Sequence, residues 1–258
     1  EPQPFWKKQL YLLSEKISGI FKDAIICVSD FDKKIGIQYK IASVKKFITI
    51  HNGINSSSLR FIEKNEAKKF FQRILPFPPN HTVIGTIANF YETKGLSCFL
   101  HAAARIKKKN NNIIFIIIGE GELRKNLEKQ ILENNLKGSV ILPGRIQDAY
   151  AYLKCFDIYM CSSVKEGFPY SILEACAALV PIVSTNVGGI PEIIEDKKNG
   201  SLVEPMNSSA LADSCLRLME SPTTSKEFVE KGKKILYENF SLDKMLEDTS
   251  WVYFEKNL

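Results

Sequence analysis

Short apolar runs alternate with amphipathic segments between residues 82 and 219. Each run suits a buried strand, and each following segment repeats its apolar residues at helical spacing. The strand candidates are Val83–Ala88, Ile113–Ile118, Val140–Leu142, Ile158–Cys161, Ile182–Ser184 and Leu202–Val203. The helical candidates that follow them are Leu96–Ile106, Glu122–Leu132, Gln147–Leu153, Tyr170–Leu179, Ile190–Glu195 and Ser208–Met219. This alternation predicts the α/β class, with a doubly wound, Rossmann-like parallel sheet of about six βα units.

Residues 1–55 carry a shorter version of the same pattern. Ala24–Ser29 and Phe47–Ile50 match two strands around a helical stretch. Because two strands and a helix cannot bury a core alone, we expect residues 1–55 to be the remnant of a preceding N-terminal domain. The chain starts at Glu1 rather than at a methionine, and a helical pattern is already under way at Phe5–Phe21. We interpret it as an excised piece of a longer protein.

Two further regions complete the predicted domain organisation. Residues 56–80 form a predicted linker region that contains one helical pattern, Glu63–Leu75. Residues 81–258 form the predicted C-terminal domain, which closes with two helices from Ser225 onward. Ser241 is a suitable N-cap for the last of them, because its hydroxyl can accept a hydrogen bond from a free N–H of the first turn.

Composition limits the class of protein. With 258 residues, of which 45% are hydrophobic, the chain can bury a large core. No apolar run reaches the roughly 18 residues that span a bilayer. The six cysteines lack metal-ligand spacing, so we expect buried thiols in a reducing compartment. These features predict a cytoplasmic protein.

The net charge of +6 leaves two interpretations of the lysine-rich surface open. Lys107–Lys109 follows a predicted helix, where a solvated helix end explains it. The same cluster could attract anionic lipid or nucleic acid. No basic stripe interleaved with aromatic residues supports nucleic acid, so we do not expect that partner. Peripheral association with the inner face of a membrane stays open.

Loops that follow the predicted strands hold the candidate chemistry. In open α/β sheets, ligands bind outside the carboxyl ends of the strands. Five such loops carry glycine or charge: Asn89–Gly95, Gly119–Gly121, Gly144–Arg145, Glu166–Pro169 and Asn186–Pro191. Lys94 precedes a predicted helix whose free N–H groups attract anions, so it suits a diphosphate. A solvated surface lysine is the alternative interpretation.

Two glutamates lie on either side of a predicted helix start. Glu166 falls in the loop after the strand Ile158–Cys161, and Glu174 falls about one turn into the helix Tyr170–Leu179. Both carboxylates can therefore face one ligand. They could also be the acid and base of a glycosidase, but the parallel-sheet context and Lys94 argue against hydrolysis.

These motifs resemble the C-terminal, donor-binding half of the GT-B fold in retaining glycosyltransferases of the family 4 type. The resemblance covers roughly Asp23 to Tyr253. It rests on the E-x7-E pair and on the segments His51–Asn55, Ile84–Gly95, Gly119–Gly121, Leu142–Gly144 and Gly188–Glu192. It implies a hexosyltransferase that moves a sugar from a UDP- or GDP-sugar to an unknown acceptor with retention of anomeric configuration. The nucleotide-sugar is a substrate, and no cofactor or metal is expected.

The resemblance also implies roles for single residues. Lys94 would neutralise the diphosphate as leaving-group charge grows, and Glu166 would hold hydroxyls of the donor sugar; these two are the candidate catalytic residues. Glu174 would accept hydrogen bonds from the ribose, and Arg145 and Ile146 would flank the base. The implied donor-binding set is Asn89, Lys94, Gly95, Arg145, Ile146, Glu166, Gly167, Phe168, Pro169, Tyr170, Ser171 and Glu174.

One position departs from the family pattern. Many relatives carry an arginine that shares the phosphate load with the lysine, whereas this chain has Asn89, a neutral donor. Backbone N–H groups at Tyr170 and Ser171 would meet phosphate oxygens at their helix N-terminus. Either Lys94 works alone, or Arg145 or another cation assists it.

Other signals in the sequence favour structural roles. Asp30 and Asp32 spell D-x-D, a metal-binding pattern of another glycosyltransferase fold, but with Ser29 they suit the N-terminal cap of a helix. The histidines lack a nucleophile pattern and are expected in core or surface roles: His51, His81 and His101. Two alternative functions remain, a nucleotide-sugar binding module without activity and a GT-B sugar-nucleotide epimerase. An epimerase would change the sugar without any acceptor.

Overall fold

Two parallel sheets organise the computed structural model, which describes residues 5–254. The first sheet pairs β1 (Ile25–Cys27) with β2 (Phe47–Thr49). The second has six strands: β3 (Thr82–Ile87), β4 (Ile113–Ile118), β5 (Val140–Ile141), β6 (Ile158–Cys161), β7 (Ile182–Thr185) and β8 (Ser201–Val203).

Helices connect the strands and cover both faces of the large sheet. The α-helices within residues 5–254 are α1 (Phe5–Phe21), α2 (Asp30–Gln38), α3 (Lys64–Gln72), α4 (Leu96–Lys109), α5 (Arg124–Glu133), α6 (Tyr170–Ala177), α7 (Ile190–Ile193), α8 (Ser208–Glu220), α9 (Pro222–Asn239) and α10 (Leu242–Phe254). Short 3₁₀-helices occupy Val44–Lys46, Glu92–Lys94 and Ala149–Cys155. The predicted α/β class with a doubly wound, Rossmann-like parallel sheet is confirmed.

The order of the strands fixes where a ligand can bind. The large sheet has the order β5-β4-β3-β6-β7-β8, and its neighbouring strands are parallel. The chain runs outward from β3 to β5 and then returns to place β6 beside β3. The strand order therefore reverses between β3 and β6, and this is the switch point at which open α/β sheets bind ligands.

Strand β4 shows why the sheet lies in the centre of the domain. All of its residues are buried, and they alternate between two hydrophobic cores. Ile114, Ile116 and Ile118 belong to the core that includes residues of α3, α6 and α9. Ile113, Phe115 and Ile117 belong to the core that includes residues of α4, α5 and α8. A continuous apolar strand is the sequence signature of a sheet covered on both faces.

The largest difference from the predicted elements lies after β5. The sequence predicts an α-helix over Gln147–Leu153, whereas the structure has a 3₁₀-helix over Ala149–Cys155. Asp148 has a left-handed backbone conformation with a φ of 51°, and a regular right-handed helix cannot run through such a residue. Helix α9 also begins before the predicted Ser225, at Pro222, since proline fits the first position of a helix.

Residues 50–55 join the small sheet to the rest of the chain. Ile54 forms a parallel bridge with Ser241, its N–H donates to the carbonyl of Phe240 (3.0 Å), and the N–H of Leu242 donates back to Ile54 (3.1 Å). The C-terminal end of helix α1 contacts the segment before β2, where Lys46 Nζ donates to the carbonyl of Ile20 (2.9 Å). Among the described residues, no helix has the length and apolar content that a membrane crossing requires.

Candidate functional site

A cavity of about 330 Å³ opens at the carboxyl ends of β3 and β6, beside the switch point. Most of the predicted donor-binding residues line it: Asn89, Lys94, Arg145, Ile146, Glu166, Pro169, Tyr170 and Ser171. Residues outside the predicted donor-binding set complete the lining: Ile87, Ala88, Ile118, Gly119 and Ala149. Gly119 opens a glycine loop that the sequence had already indicated, and Ile87 and Ala88 lie in the matching segment Ile84–Gly95. None of the five carries a polar side chain, so none was named as a binding residue.

The loop after β3 brings Lys94 to the cavity. Gly95 has a left-handed φ of 59°, and a Cβ at this position would collide with the carbonyl oxygen of Ser162. This close approach ties the loop after β3 to the loop after β6, and Ser162 Oγ strengthens it by donating to the carbonyl of Lys94 (3.0 Å). Lys94 Nζ then reaches Glu166 Oε1 at 2.7 Å. The two candidate catalytic residues are therefore in direct contact.

Glu166 is held in place by the loops after β6 and β7. Ser163 Oγ donates to Glu166 Oε1 at 2.6 Å, and Thr185 Oγ1 donates to the backbone carbonyl of Ser163 at 2.6 Å. Gly188 has a φ of 56°, and a Cβ there would collide with the carbonyl oxygen of Glu166. Neither Ser163 nor Thr185 carries a motif signal, so neither was predicted from the sequence.

Helix α6 presents its N-terminus and a carboxylate. Pro169 precedes the first turn of α6, and no side chain caps the N-terminus of the helix. The backbone N–H groups of Tyr170 and Ser171, which line the cavity, therefore have no capping partner. Glu174 follows on the next turn, outside the cavity lining. Burial raises the pKa of the Glu174 carboxyl. Within residues 5–254 no side chain or backbone group donates a hydrogen bond to this carboxylate.

Arg145 supplies a second cationic side chain to the lining of the cavity. Its side chain is exposed and forms no ion pair with a carboxylate among the described residues. The loop that carries it is tied to the end of β4 by the N–H of Gly119, which donates to the carbonyl of Gly144 (3.1 Å). The structure thus puts Arg145, Lys94 and the neutral Asn89 around one cavity.

Four residues of the predicted set do not line the cavity. Gly95, Gly167 and Glu174 lie beside it, and Phe168 packs in the core. The ring of Phe168 lies 4.7 Å from that of His51 and 5.1 Å from that of Phe240, measured between centroids. The side chain of Phe168 therefore anchors the loop after β6 and does not reach the site.

The D-x-D segment does not line the cavity, although Asp32 lies near Gly167, and its hydrogen bonds have a structural role. Ser29 Oγ accepts from the N–H of Asp32 (3.1 Å), which confirms the predicted N-cap of α2. The N–H groups of Asp30 and Phe31 donate to the two oxygens of Glu192, each at 2.9 Å. His51 Nε2 lies 2.8 Å from the same carboxylate. Side-chain ligand atoms of Asp30, His51 and Glu192 fall within 4.8 Å of one another, but hydrogen bonds of the fold already occupy this carboxylate.

A larger cleft of about 860 Å³ lies at the opposite end of the sheet. It is lined by residues at the amino ends of β3 and β6, including Thr82 and Asp157. Asp157 already accepts a hydrogen bond from the N–H of Val83 (2.8 Å) and pairs with Lys64. Because ligands of such sheets bind at the carboxyl ends, the smaller cavity is the better candidate despite its size.

The fold and the site together define a class. A lysine and an uncapped helix N-terminus at the switch point of a parallel sheet are typical of α/β proteins that bind phosphorylated ligands. The model of the family described as glycosyl transferases group 1 matches residues 67–235. The chain belongs to this family.

Known relatives agree with this assignment. The chain is 27% identical over 250 residues to the poly(ribitol-phosphate) alpha-N-acetylglucosaminyltransferase of Staphylococcus aureus, and the match covers 94% of this chain and 45% of that protein. The chain spans about half the length of the curated relatives it matches.

Solved structures share the fold. A crystal structure of Anabaena HepE in complex with UDP and glucose aligns with a TM-score of 0.87 at 21% identity, over 96% of this chain and 67% of that one. The C-terminal domain of a glycosyl transferase group 1 family protein from Francisella tularensis aligns with a TM-score of 0.64 at 27% identity. That match covers 74% of this chain and 100% of that domain.

Proposed function

We propose that this chain is the donor-binding part of a retaining glycosyltransferase of the family 4 type. The enzyme would transfer a hexose from a nucleotide-sugar to an acceptor with retention of anomeric configuration. The observation that carries the proposal is the convergence of Lys94, Arg145, Glu166 and the N-terminus of α6 on one cavity at the switch point of the sheet.

The cationic side of the cavity suits a diphosphate. Lys94 and Arg145 supply cationic side chains, and the free N–H groups at Tyr170 and Ser171 add the positive end of the helix dipole. When the bond between the sugar and the diphosphate breaks, negative charge grows on the leaving phosphate. Fixed positive groups around that phosphate stabilise the transition state more than the ground state. Arg145 would here supply the second positive charge on the phosphates that the neutral Asn89 cannot supply.

The two glutamates suit the hydroxyl-bearing parts of the donor. Glu166 lies at the cavity wall with Oε1 held, so it can orient sugar hydroxyls against the acceptor. Glu174 lies one turn along α6, where a partly buried carboxylate with a raised pKa would gain from two ribose O–H donors. We assign the sugar to Glu166 and the ribose to Glu174.

UDP is the first nucleotide to test. Two solved structures that share this fold carry UDP in their descriptions, those of HepE and of Staphylococcus aureus TarM. We propose a donor site that needs no divalent metal, since Lys94, Arg145 and helix α6 can balance the diphosphate charge themselves. Asp30 and Asp32 lie outside this cavity and would not hold a metal on the donor phosphates.

We further propose that the segment up to residue 55 is the end of an acceptor-binding domain, followed by a linker over residues 56–80 and the donor domain over residues 81–258. The pair β1 and β2 is too small for a core of its own. Ile26, Phe31 and Val44 leave apolar surface exposed around it. Donor and acceptor must meet between two domains, so residues 1–258 alone should bind the donor and transfer little.

Calorimetric titration of residues 1–258 with UDP, UDP-glucose and GDP-mannose in EDTA tests the proposal. We expect a nucleotide to bind under these conditions, and the Lys94→Gln variant to lose most of that affinity. Product analysis without acceptor separates the transferase from an epimerase, which would alter the sugar. Failure of every nucleotide to bind would reject the proposed function.

A further inference from the structure

One oxygen of Glu166 receives two partners. Lys94 Nζ contacts Oε1 at 2.7 Å, and Ser163 Oγ donates to the same atom at 2.6 Å. No described residue donates a hydrogen bond to Oε2. The side chains are largely protected from solvent, with 10% of Glu166 and 24% of Lys94 exposed. The carboxylate is therefore held from one side and free on the other.

The ion pair with Glu166 engages the Lys94 ammonium, which is the group that a donor diphosphate would bind. Lys94 pairs with Glu166 and with no other carboxylate of residues 5–254. An ion pair with this little solvent exposure is screened less than a surface pair, so its two charges largely neutralise each other. A diphosphate that enters the cavity must therefore compete with Glu166 for Lys94.

The second partner does not depend on this competition. Ser163 is buried, and its backbone carbonyl accepts from Thr185 Oγ1 at 2.6 Å. Its hydroxyl also lies 3.5 Å from Cys161 Sγ. These contacts fix the Ser163 hydroxyl from within the fold. If Lys94 moves away, Ser163 still holds Glu166 at the wall of the cavity.

We propose that Glu166 pairs with Lys94 in place of the donor diphosphate until a donor binds. Ser163 is the residue that positions Glu166. Before a donor binds, Glu166 holds Lys94 Nζ in an ion pair at the cavity. On binding, Lys94 Nζ exchanges the carboxylate for a phosphate oxygen, and Ser163 retains the released carboxylate, which then accepts from sugar hydroxyls. This inference rests on the proposed function, and it couples recognition of the diphosphate to recognition of the sugar.

The exchange predicts that Glu166→Gln binds free UDP more tightly than the wild type. The amide keeps the size of the side chain and can accept from Ser163, but it no longer pairs with Lys94. We expect the dissociation constant for UDP to fall roughly threefold to tenfold, the range of a partly buried ion pair. Isothermal titration calorimetry of residues 1–258 in EDTA measures it.

A matched variant controls for the loss of one negative charge. Glu92 is exposed, lies in the same loop as Lys94 and forms no ion pair among the described residues. Glu92→Gln should change the affinity for UDP less than twofold. In a Lys94→Gln background, Glu166→Gln should also lose its gain, since there is no ammonium left to release.

Ser163→Ala separates positioning from charge. This variant should leave the affinity for UDP within about twofold of the wild type. It should weaken the affinity for UDP-glucose roughly fivefold, because Glu166 is no longer held in the orientation that accepts from the sugar hydroxyls. A purely structural role would weaken both ligands equally.

The inference is overturned if Glu166→Gln fails to tighten UDP binding, if Glu92→Gln tightens it as much, or if the gain persists without Lys94. An equal loss of both ligands in Ser163→Ala would overturn the role of Ser163. Wild-type protein that binds no nucleotide would instead reject the proposed function, so the two failures are distinguishable.

Discussion

Glu174 is a candidate binding residue that lowers the stability of the fold. Its carboxyl is partly buried, burial raises its pKa, and no described group donates to it. A desolvated carboxylate without a donor is unfavourable in the folded chain. We interpret the cost as the consequence of a ligand that supplies the missing donors.

Glu174→Gln should stabilise the fold near neutral pH. The raised pKa means that the folded state binds more protons at Glu174 than the unfolded state, so this residue lowers stability as the pH rises above its unfolded pKa. The variant removes that charge and should raise the midpoint of thermal unfolding at pH 7. The difference should shrink toward about pH 4, where the wild-type carboxyl becomes protonated. Scanning calorimetry across this pH range would contradict the account if the variant were less stable at pH 7.

Glu174→Ala should weaken UDP and UDP-glucose together, because both contain the ribose. Loss of a charged hydrogen-bond acceptor corresponds to about 1 to 3 kcal/mol of binding free energy. Glu238→Ala provides a control, since Glu238 is an exposed helical glutamate on α9, with 56% of its side chain exposed. Calorimetric titration with each ligand makes the comparison. A selective loss for UDP-glucose would place Glu174 on the sugar instead.

At the scale of elements, strand interiors were predictable and helix starts were less so. The run Ile113–Ile118 is apolar throughout, so its length and its burial on both faces follow from the sequence. The start of the 3₁₀-helix Ala149–Cys155 does not follow, because it depends on the left-handed backbone of Asp148. The predicted ends of the strands indicated the loops that line the cavity. The contact of Lys94 with Glu166 was not predictable, since it depends on how two distant loops pack.

Gly188→Ala should displace the loop that carries Glu166. A Cβ at Gly188 meets the carbonyl oxygen of Glu166, and the φ of 56° adds backbone strain. Gly138→Ala is the matched control, because Gly138 has a φ of 76° but open space around its Cβ position. The control should cost about 1 kcal/mol from strain alone. Gly188→Ala should cost more in urea unfolding and also weaken UDP-glucose; equal costs would show that the close approach is unimportant.

At the scale of the whole molecule, side-chain hydrogen bonds join residues 30–52 to the large domain. Glu192 is central to them, because it accepts from the N–H groups of Asp30 and Phe31 and contacts His51. Asn52 Nδ2 adds a bond to the carbonyl of Phe168 (2.8 Å). Glu166 lies in the same loop after β6, so this loop both contacts the segment after the small sheet and lines the candidate site.

Glu192→Ala should loosen α2 without unfolding the large sheet. The first turn of α2 loses a charged acceptor for two N–H groups, worth about 1 to 3 kcal/mol. Hydrogen exchange should accelerate at Asp30 and Phe31 and stay slow in β4. Glu195→Ala is the control, because Glu195 is exposed and contacts Lys198 of its own loop. Acceleration that extends into β4 would mean that the two parts unfold as one unit.

The most direct test of the central claim is an amide chemical-shift titration of residues 1–258 with UDP in EDTA. The account predicts saturable shifts that concentrate at Lys94, Arg145, Tyr170 and Ser171, around the cavity at the carboxyl ends of β3 and β6. Shifts that concentrate instead at the cleft at the amino ends of these strands, around Thr82, would contradict it. An absence of shifts until magnesium or manganese is added would contradict the metal-free donor site.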